Sequence, residues 1–159
     1  MVLKLAVWSN KGLWLSPPYQ AVFLTLKLNP HSKKMANKTV LVVDDTPANI
    51  NLLKQIIDSK HDVITATNGM DAINEAIAQL PNLILLDVGL PDINGFEVCK
   101  HLKKISETMT IPVIFISAYC QEQYIKKGRE AGAVDYVIKP FDVVNMQKKI
   151  SDFLENTIH

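Results

Sequence analysis

Cysteine is scarce. The 159-residue chain has two, Cys99 and Cys120. Their spacing fits no metal motif and no disulfide framework, so both read as reduced intracellular thiols. Long apolar runs are also missing. None reaches the roughly 18 residues needed to span a bilayer. No convincing signal peptide opens the chain, because "MVLK" is barely charged and "LAVWSN" is too short for an apolar core. Acidic residues are absent from residues 1–34, which hold Lys4, Lys11, Lys27, Lys33 and Lys34. Removing these five from the 17 basic residues leaves 12 against 16 acidic ones from Met35 onward, a net of −4. A mildly acidic main domain argues against a large nucleic-acid footprint.

What is present suits one globular domain with an appendage. Hydrophobic residues make up 48% and charged residues 21%, enough for an adequate core. Residues 1–34 differ in kind from the rest. They hold both tryptophans, Trp8 and Trp14, and the pair Pro17-Pro18. The alternation Val22, Leu24, Leu26 and Leu28 predicts a strand, and "NPHSKK" reads as a linker. Residues 1–37 are therefore expected to be a flexible or loosely structured extension, with Met35 as the functional start of translation. The main domain is expected over 38–157.

From Lys38 a regular alternation begins. Strands are predicted at 39–43, 62–66, 82–87, 111–117 and 133–138. Helices are predicted at 47–59, 69–80, 95–105, 121–131 and 142–156. Five β-then-α units imply parallel pairing with right-handed crossovers. Strands one, three and four are apolar throughout, so both sheet faces should be covered. The second strand, preceded by His61 and starting at Asp62, is more polar and suits an edge. The pattern predicts a doubly wound, flavodoxin-like α/β fold: a five-stranded parallel sheet of order 2-1-3-4-5 with helices on both faces.

In such a fold the site lies beyond the carboxyl ends of the strands, near the switch between strands one and three. Strand one delivers Asp44 and Asp45, strand three Asp87, strand four Ser117, and strand five Lys139 followed by Pro140. Each has a purely structural role open to it. Asp45 suits the N-cap of a helix starting at Pro47, Asp87 a turn cap, Ser117 a helix cap and Lys139 a solvated loop. Their conjunction at one edge points to chemistry instead. Two carboxylates ~4 Å apart repel by about 4 kcal/mol at an effective dielectric of ~20. Oxygen ligands from Asp44, Asp45, Asp87 and a backbone carbonyl suit a hard cation such as Mg²⁺. Asp87 could then attack a phosphorus, with Lys139 and the metal neutralising the transferred oxygens and Ser117 donating to another.

The segments "VLVVDD" (40–45), "LILLDVGLPDINGFE" (83–97), "IFISA" (114–118) and "AGAVDYVIKPF" (131–141) closely resemble the receiver domain of two-component response regulators. The resemblance covers residues 38–156, and four separated motifs agree. It implies that Asp87 is the phosphoacceptor for a sensor histidine kinase. It implies that Asp44 and Asp45 hold Mg²⁺, and that the Gly89 carbonyl completes the metal shell. Ser117 corresponds to the switch hydroxyl, Lys139 to the phosphate-binding lysine and Tyr136 to the aromatic switch, and the Lys139-Pro140 bond should be cis. Gly89 is smaller than the side chains often found at its position, and the bulky Tyr119 offers compensation.

The chain is thus expected to be a cytoplasmic signalling receiver that catalyses only its own phosphorylation and dephosphorylation. With no effector region after the last helix, it would act on a downstream protein, or relay phosphate to a histidine phosphotransfer protein. The face formed by helix four, strand five and helix five is the expected partner surface, and would support a monomer or a weak dimer. Its Lys126, Lys127, Arg129, Lys148 and Lys149 suit an acidic partner or simply solvation. His101 reads as a surface residue. No direct nucleic-acid or membrane contact is expected. A flavin or nucleotide binder would need a Gly/Ser/Thr-rich phosphate loop where "DDTPAN" stands. An aspartyl phosphatase would need Asp-x-Asp where the acids are adjacent.

Overall fold

The computed structural model describes residues 8–9, 12–13, 37–57, 59 and 61–156. The chain divides into two units, Met1–Ala36 and Asn37–His159. In the first, Trp8–Ser9 and Gly12–Leu13 pair antiparallel, with Trp8 opposite Leu13. The strand expected at Val22 to Leu28 lies outside the described residues, as does nearly all of the expected extension.

The second unit holds β1 (Thr39–Val43), α1 (Pro47–Ile56), β2 (Asp62–Ala66), α2 (Gly69–Gln79), β3 (Leu83–Leu86), α3 (Gly95–Leu102), β4 (Val113–Ser117), α4 (Glu122–Glu130), β5 (Asp135–Ile138) and α5 (Val143–Asn156). The strands form one sheet in the order β2-β1-β3-β4-β5. All its pairings are parallel, with Val40 beside Leu83, Ile84 beside Val113 and Ile114 beside Asp135. This is the expected 2-1-3-4-5 order.

Period-two alternation divides the core between the two sheet faces. Leu41, Val43, Ile84, Leu86 and Phe115 face one way and pack with Ala72, Ile73 and Ala76 of α2 and Val98, Cys99 and Leu102 of α3. Val40, Val42, Leu83, Leu85, Ile114 and Ile116 face the other way. They pack with Ile50 and Leu53 of α1 and Met146, Ile150 and Leu154 of α5. Every residue of β3 and β4 is buried, as a strand covered on both sides requires.

Several element ends differ from expectation for local reasons. The helix after β1 is capped by Thr46, not Asp45. The Asp44 carboxylate takes the Thr46 N–H at 2.9 Å, so the first acid of the pair organises the turn. Ser117 caps no helix, since α4 begins after Gln121. α3 ends at Leu102, three residues early, and the Thr108 hydroxyl donates to the Leu102 carbonyl at 2.7 Å. β4 starts at Val113, after Pro112, which has no N–H to give to a ladder. β5 starts at Asp135, after Gly132 turns the chain with φ +96°, a region that favours glycine.

Candidate functional site

The sheet ladder itself places the site residues. Just past β1, the Asp44 N–H donates to the Ala66 carbonyl at 3.2 Å. Just past β3, the Asp87 N–H donates to the Val43 carbonyl at 2.9 Å, and past β5 the Lys139 N–H donates to the Ser117 carbonyl at 2.8 Å. Each residue is the first step beyond a strand, and its N–H is held by the ladder. The Lys139-Pro140 peptide bond is cis.

The side chains converge. Carboxylate oxygens of Asp44, Asp45 and Asp87 all lie within 4.8 Å of one another. Asp44 is buried, Asp87 half-buried and Asp45 exposed. The Lys139 ammonium sits 2.7 Å from Asp44 and 3.5 Å from Asp87. Asn49 of α1 donates its amide to both Asp44 oxygens, at 3.0 and 3.1 Å. The repulsion expected among three acids is therefore largely offset without a metal. Asp45 faces water, and Asp44 has an ammonium, an amide and a backbone N–H.

Burial raises the Asp87 carboxyl above the ordinary range. Lys139 pulls it down, Asp44 pushes it up again, and the backbone N–H groups of Gly89 and Val88 lower it. The Val88 N–H meets the Asp87 carboxylate at 2.8 Å. Gly89 stands over open space, and a Cβ there would come no closer than 4.0 Å to Asp87 Oδ2. At Gly95, the first residue of α3, a Cβ would overlap the Asp87 carbonyl oxygen.

Ser117 is buried at the end of β4, and its hydroxyl accepts the Tyr119 N–H at 3.2 Å. The Tyr136 hydroxyl donates to the Tyr119 carbonyl at 2.9 Å. Burial raises the Tyr136 hydroxyl pKa, a hydrogen bond with Ser117 lowers it, and Asp87 raises it further. The structure thus brings Asp44, Asp45, Asp87 and Lys139 into one cluster and joins Ser117 to Tyr136 through Tyr119. Sequence reasoning missed Asn49. It lies four residues beyond Asp45 on the first turn of α1, and only its helical position could have drawn notice.

A hard cation fits this donor set. Three carboxylates and open space beside Gly89 offer oxygen ligands and room for retained water. On the other side, the basic residues of α4 and α5 are mostly engaged. Lys149 pairs with Asp135, Lys126 approaches Glu130 at 3.9 Å, and the Lys127 ammonium lies 5.4 Å from the centre of the Tyr124 ring. His101 is exposed on α3.

Residues 40–151 match the response regulator receiver domain family, and the chain belongs to it. The chain is 35% identical to Protein PilH of Pseudomonas aeruginosa over 116 residues, which cover 72% of this chain and 96% of PilH. It is 37% identical over 122 residues to the alkaline phosphatase synthesis transcriptional regulatory protein PhoP of Bacillus subtilis. That match covers 76% of this chain but only 50% of PhoP, so the chain spans about half of that curated relative. Among solved structures, a beryllofluoride-activated DrrB receiver domain superposes with a TM-score of 0.70 at 30% identity. It covers 76% of this chain and 99% of the other. Family membership sets aside the flavin-binding and phosphatase readings.

Proposed function

We propose that this protein is the phosphoacceptor of a two-component system, with the receiver spanning residues 38–157 and residues 1–37 outside it. One observation carries the reading. A half-buried Asp87, its carboxyl raised by burial, shares its site with two further acids and a lysine ammonium 3.5 Å away. Three acids converging beside one lysine ammonium suit a site that takes a cation and a phosphoryl group together.

Asp44, Asp45, Asp87 and the Gly89 carbonyl would hold Mg²⁺, which when bound shields charge on phosphoryl oxygens. An Asp87 oxygen attacks the phosphorus of a phosphohistidine presented by a sensor kinase. The new O–P bond forms as the P–N bond breaks, and the electron pair leaves with the imidazole. Lys139 holds one phosphoryl oxygen, and its tie to Asp44 keeps it aimed at the site. The Ser117 hydroxyl donates to another oxygen. Tyr136 follows Ser117 because both are joined to Tyr119. The altered α4–β5–α5 face then meets a downstream protein in the cytoplasm. The protein turns over nothing but its own acyl phosphate.

Incubation with labelled acetyl phosphate or a labelled histidine kinase tests this. Wild-type protein should take up acid-stable, hydroxylamine-labile label that depends on Mg²⁺. Asp87→Asn should take up none. Full labelling of that variant, or undiminished labelling in EDTA, would overturn the assignment.

A further inference from the structure

We propose that Tyr124 is a positioning residue. Its ring holds Tyr119 in place and thereby restrains the hydroxyl of Ser117. The inference rests on the phosphoacceptor reading above and adds a restraint built from aromatic side chains.

The Tyr119 ring stacks on the Tyr124 ring, with centroids 4.7 Å apart and planes 24° apart. The Tyr124 ring lies parallel to Phe96 at 6.5 Å, with 9° between planes. Phe96 meets Phe115 edge-on at 5.0 Å, and Phe115 meets Tyr136 at 5.9 Å. The Tyr136 hydroxyl closes the circuit on the Tyr119 carbonyl. Tyr119 is thus held three ways: its N–H by Ser117, its carbonyl by Tyr136 and its ring by Tyr124. The far end of the stack is well anchored. Phe96 is buried and follows Gly95, which abuts the Asp87 carbonyl. The stack therefore runs from α3, whose first residue abuts the Asp87 carbonyl, to the segment that follows Ser117.

We take the Ser117 hydroxyl to turn from the Tyr119 N–H as it donates to a phosphoryl oxygen. The Tyr119 main chain then shifts, and its ring must slide from Tyr124 or part from it. A contact present on one side of an equilibrium and lost on the other shifts that equilibrium by its own strength. For an aromatic pair this is about two- to tenfold. Tyr119 is 43% exposed, so water can take the place of the lost contact.

Beryllofluoride with Mg²⁺, a phosphoryl mimic, is the probe. Its apparent affinity is measured for wild type, Tyr124→Phe, Tyr124→Leu, Tyr119→Ala and the Leu/Ala double variant, each beside a melting curve. Tyr124→Phe should behave as wild type, since the ring remains. Tyr124→Leu and Tyr119→Ala should each bind about two- to tenfold tighter, and the double variant should gain no more than either single one. If Tyr124→Leu fails to fold, Tyr119→Ala decides, because it truncates an exposed ring. Unchanged affinity, weaker binding or fully additive gains would overturn the proposal while leaving the phosphoacceptor reading intact. No binding by wild type would remove that reading and this one with it.

Discussion

The Lys139 ammonium answers two carboxylates from two different strands, Asp44 at 2.7 Å and Asp87 at 3.5 Å. It joins the end of β5 to the ends of β1 and β3. Removing it leaves Asp44, whose side chain is only 2% exposed, with a neutral amide and a backbone N–H. An uncompensated buried charge of this kind costs about 3 kcal/mol. Lys139→Met should lose stability of that order in urea titrations at neutral pH in EDTA. The gap should narrow when Mg²⁺ is added. A loss below about 1 kcal/mol would show that Asn49 and water suffice.

The second expectation concerns pH. Burial raises the Asp87 carboxyl above its ordinary value of 3.8, so the native state holds the proton more tightly than the unfolded chain. Stability therefore falls as pH rises through the interval between the ordinary value and the raised one, and stays reduced above it. Asp87→Asn removes the charge. Without metal it should melt higher than wild type at neutral pH, and the advantage should fade below pH ~3.8, where both forms are neutral. A variant that melts lower at neutral pH would mean that pairing with Lys139 outweighs burial.

Gly95 is irreplaceable on steric grounds. A Cβ there would overlap the Asp87 carbonyl and crowd the Val88 Cα, both of them backbone. Gly95→Ala should cost about 1–3 kcal/mol, typical of overpacking, even though alanine favours helices. Because the displaced atoms belong to Asp87 and Val88, labelling by acetyl phosphate should also slow. Wild-type melting of this variant would show that α3 can move aside freely.

Asn49 should tune metal affinity. Its amide donates to both Asp44 oxygens, an outer contact of the kind that typically contributes 10–100-fold to metal affinity. Asn49→Ala should weaken Mg²⁺ binding by about tenfold, read by calorimetry. Labelling at saturating Mg²⁺ should be nearly restored. Unchanged Mg²⁺ affinity would reduce Asn49 to a turn residue.

The two cysteines should differ sharply. Burial pushes the Cys99 thiol up to about 11, and it donates to the Ala131 carbonyl at 3.3 Å. Cys120 is exposed. At pH 8 a thiol reagent should modify one cysteine in the native protein and two in denaturant, with Cys120 identified by mass mapping. Rapid native modification of Cys99 would show that the α2–α3 side of the core opens readily.

Much of this was legible in the sequence because two strong signals agreed. Apolar strands β1, β3 and β4 each ended in a polar residue, and the parallel order forced those ends together. What escaped depended on geometry that spacing does not encode. Asp45 looked like the helix cap, yet Thr46 takes that position because the Asp44 carboxylate bends the turn one residue later. The reach of Lys139 to two acids needs the sheet twist and a side-chain path. Asn49 looked like any polar residue in a helical first turn. The stack of Phe96, Tyr124 and Tyr119 draws on α3, α4 and the loop before α4, whose mutual distance no periodicity reveals.

Gly128 sits in the middle of α4, where an added Cβ would press on Tyr136 at 3.0 Å and Phe115 at 3.2 Å. It is also the one buried residue of that helix, whereas α3 buries five. A mid-helix glycine costs about 1 kcal/mol relative to alanine, and so little apolar burial returns little of it. α4 is therefore the helix set to open first. Its amide hydrogens should exchange with solvent by a local opening of low free energy, while those of β3 and β4 wait for global unfolding. The room that Gly128 leaves for Tyr136 thus gives the molecule a hierarchy of exchange protection, with α4 at its lowest rung.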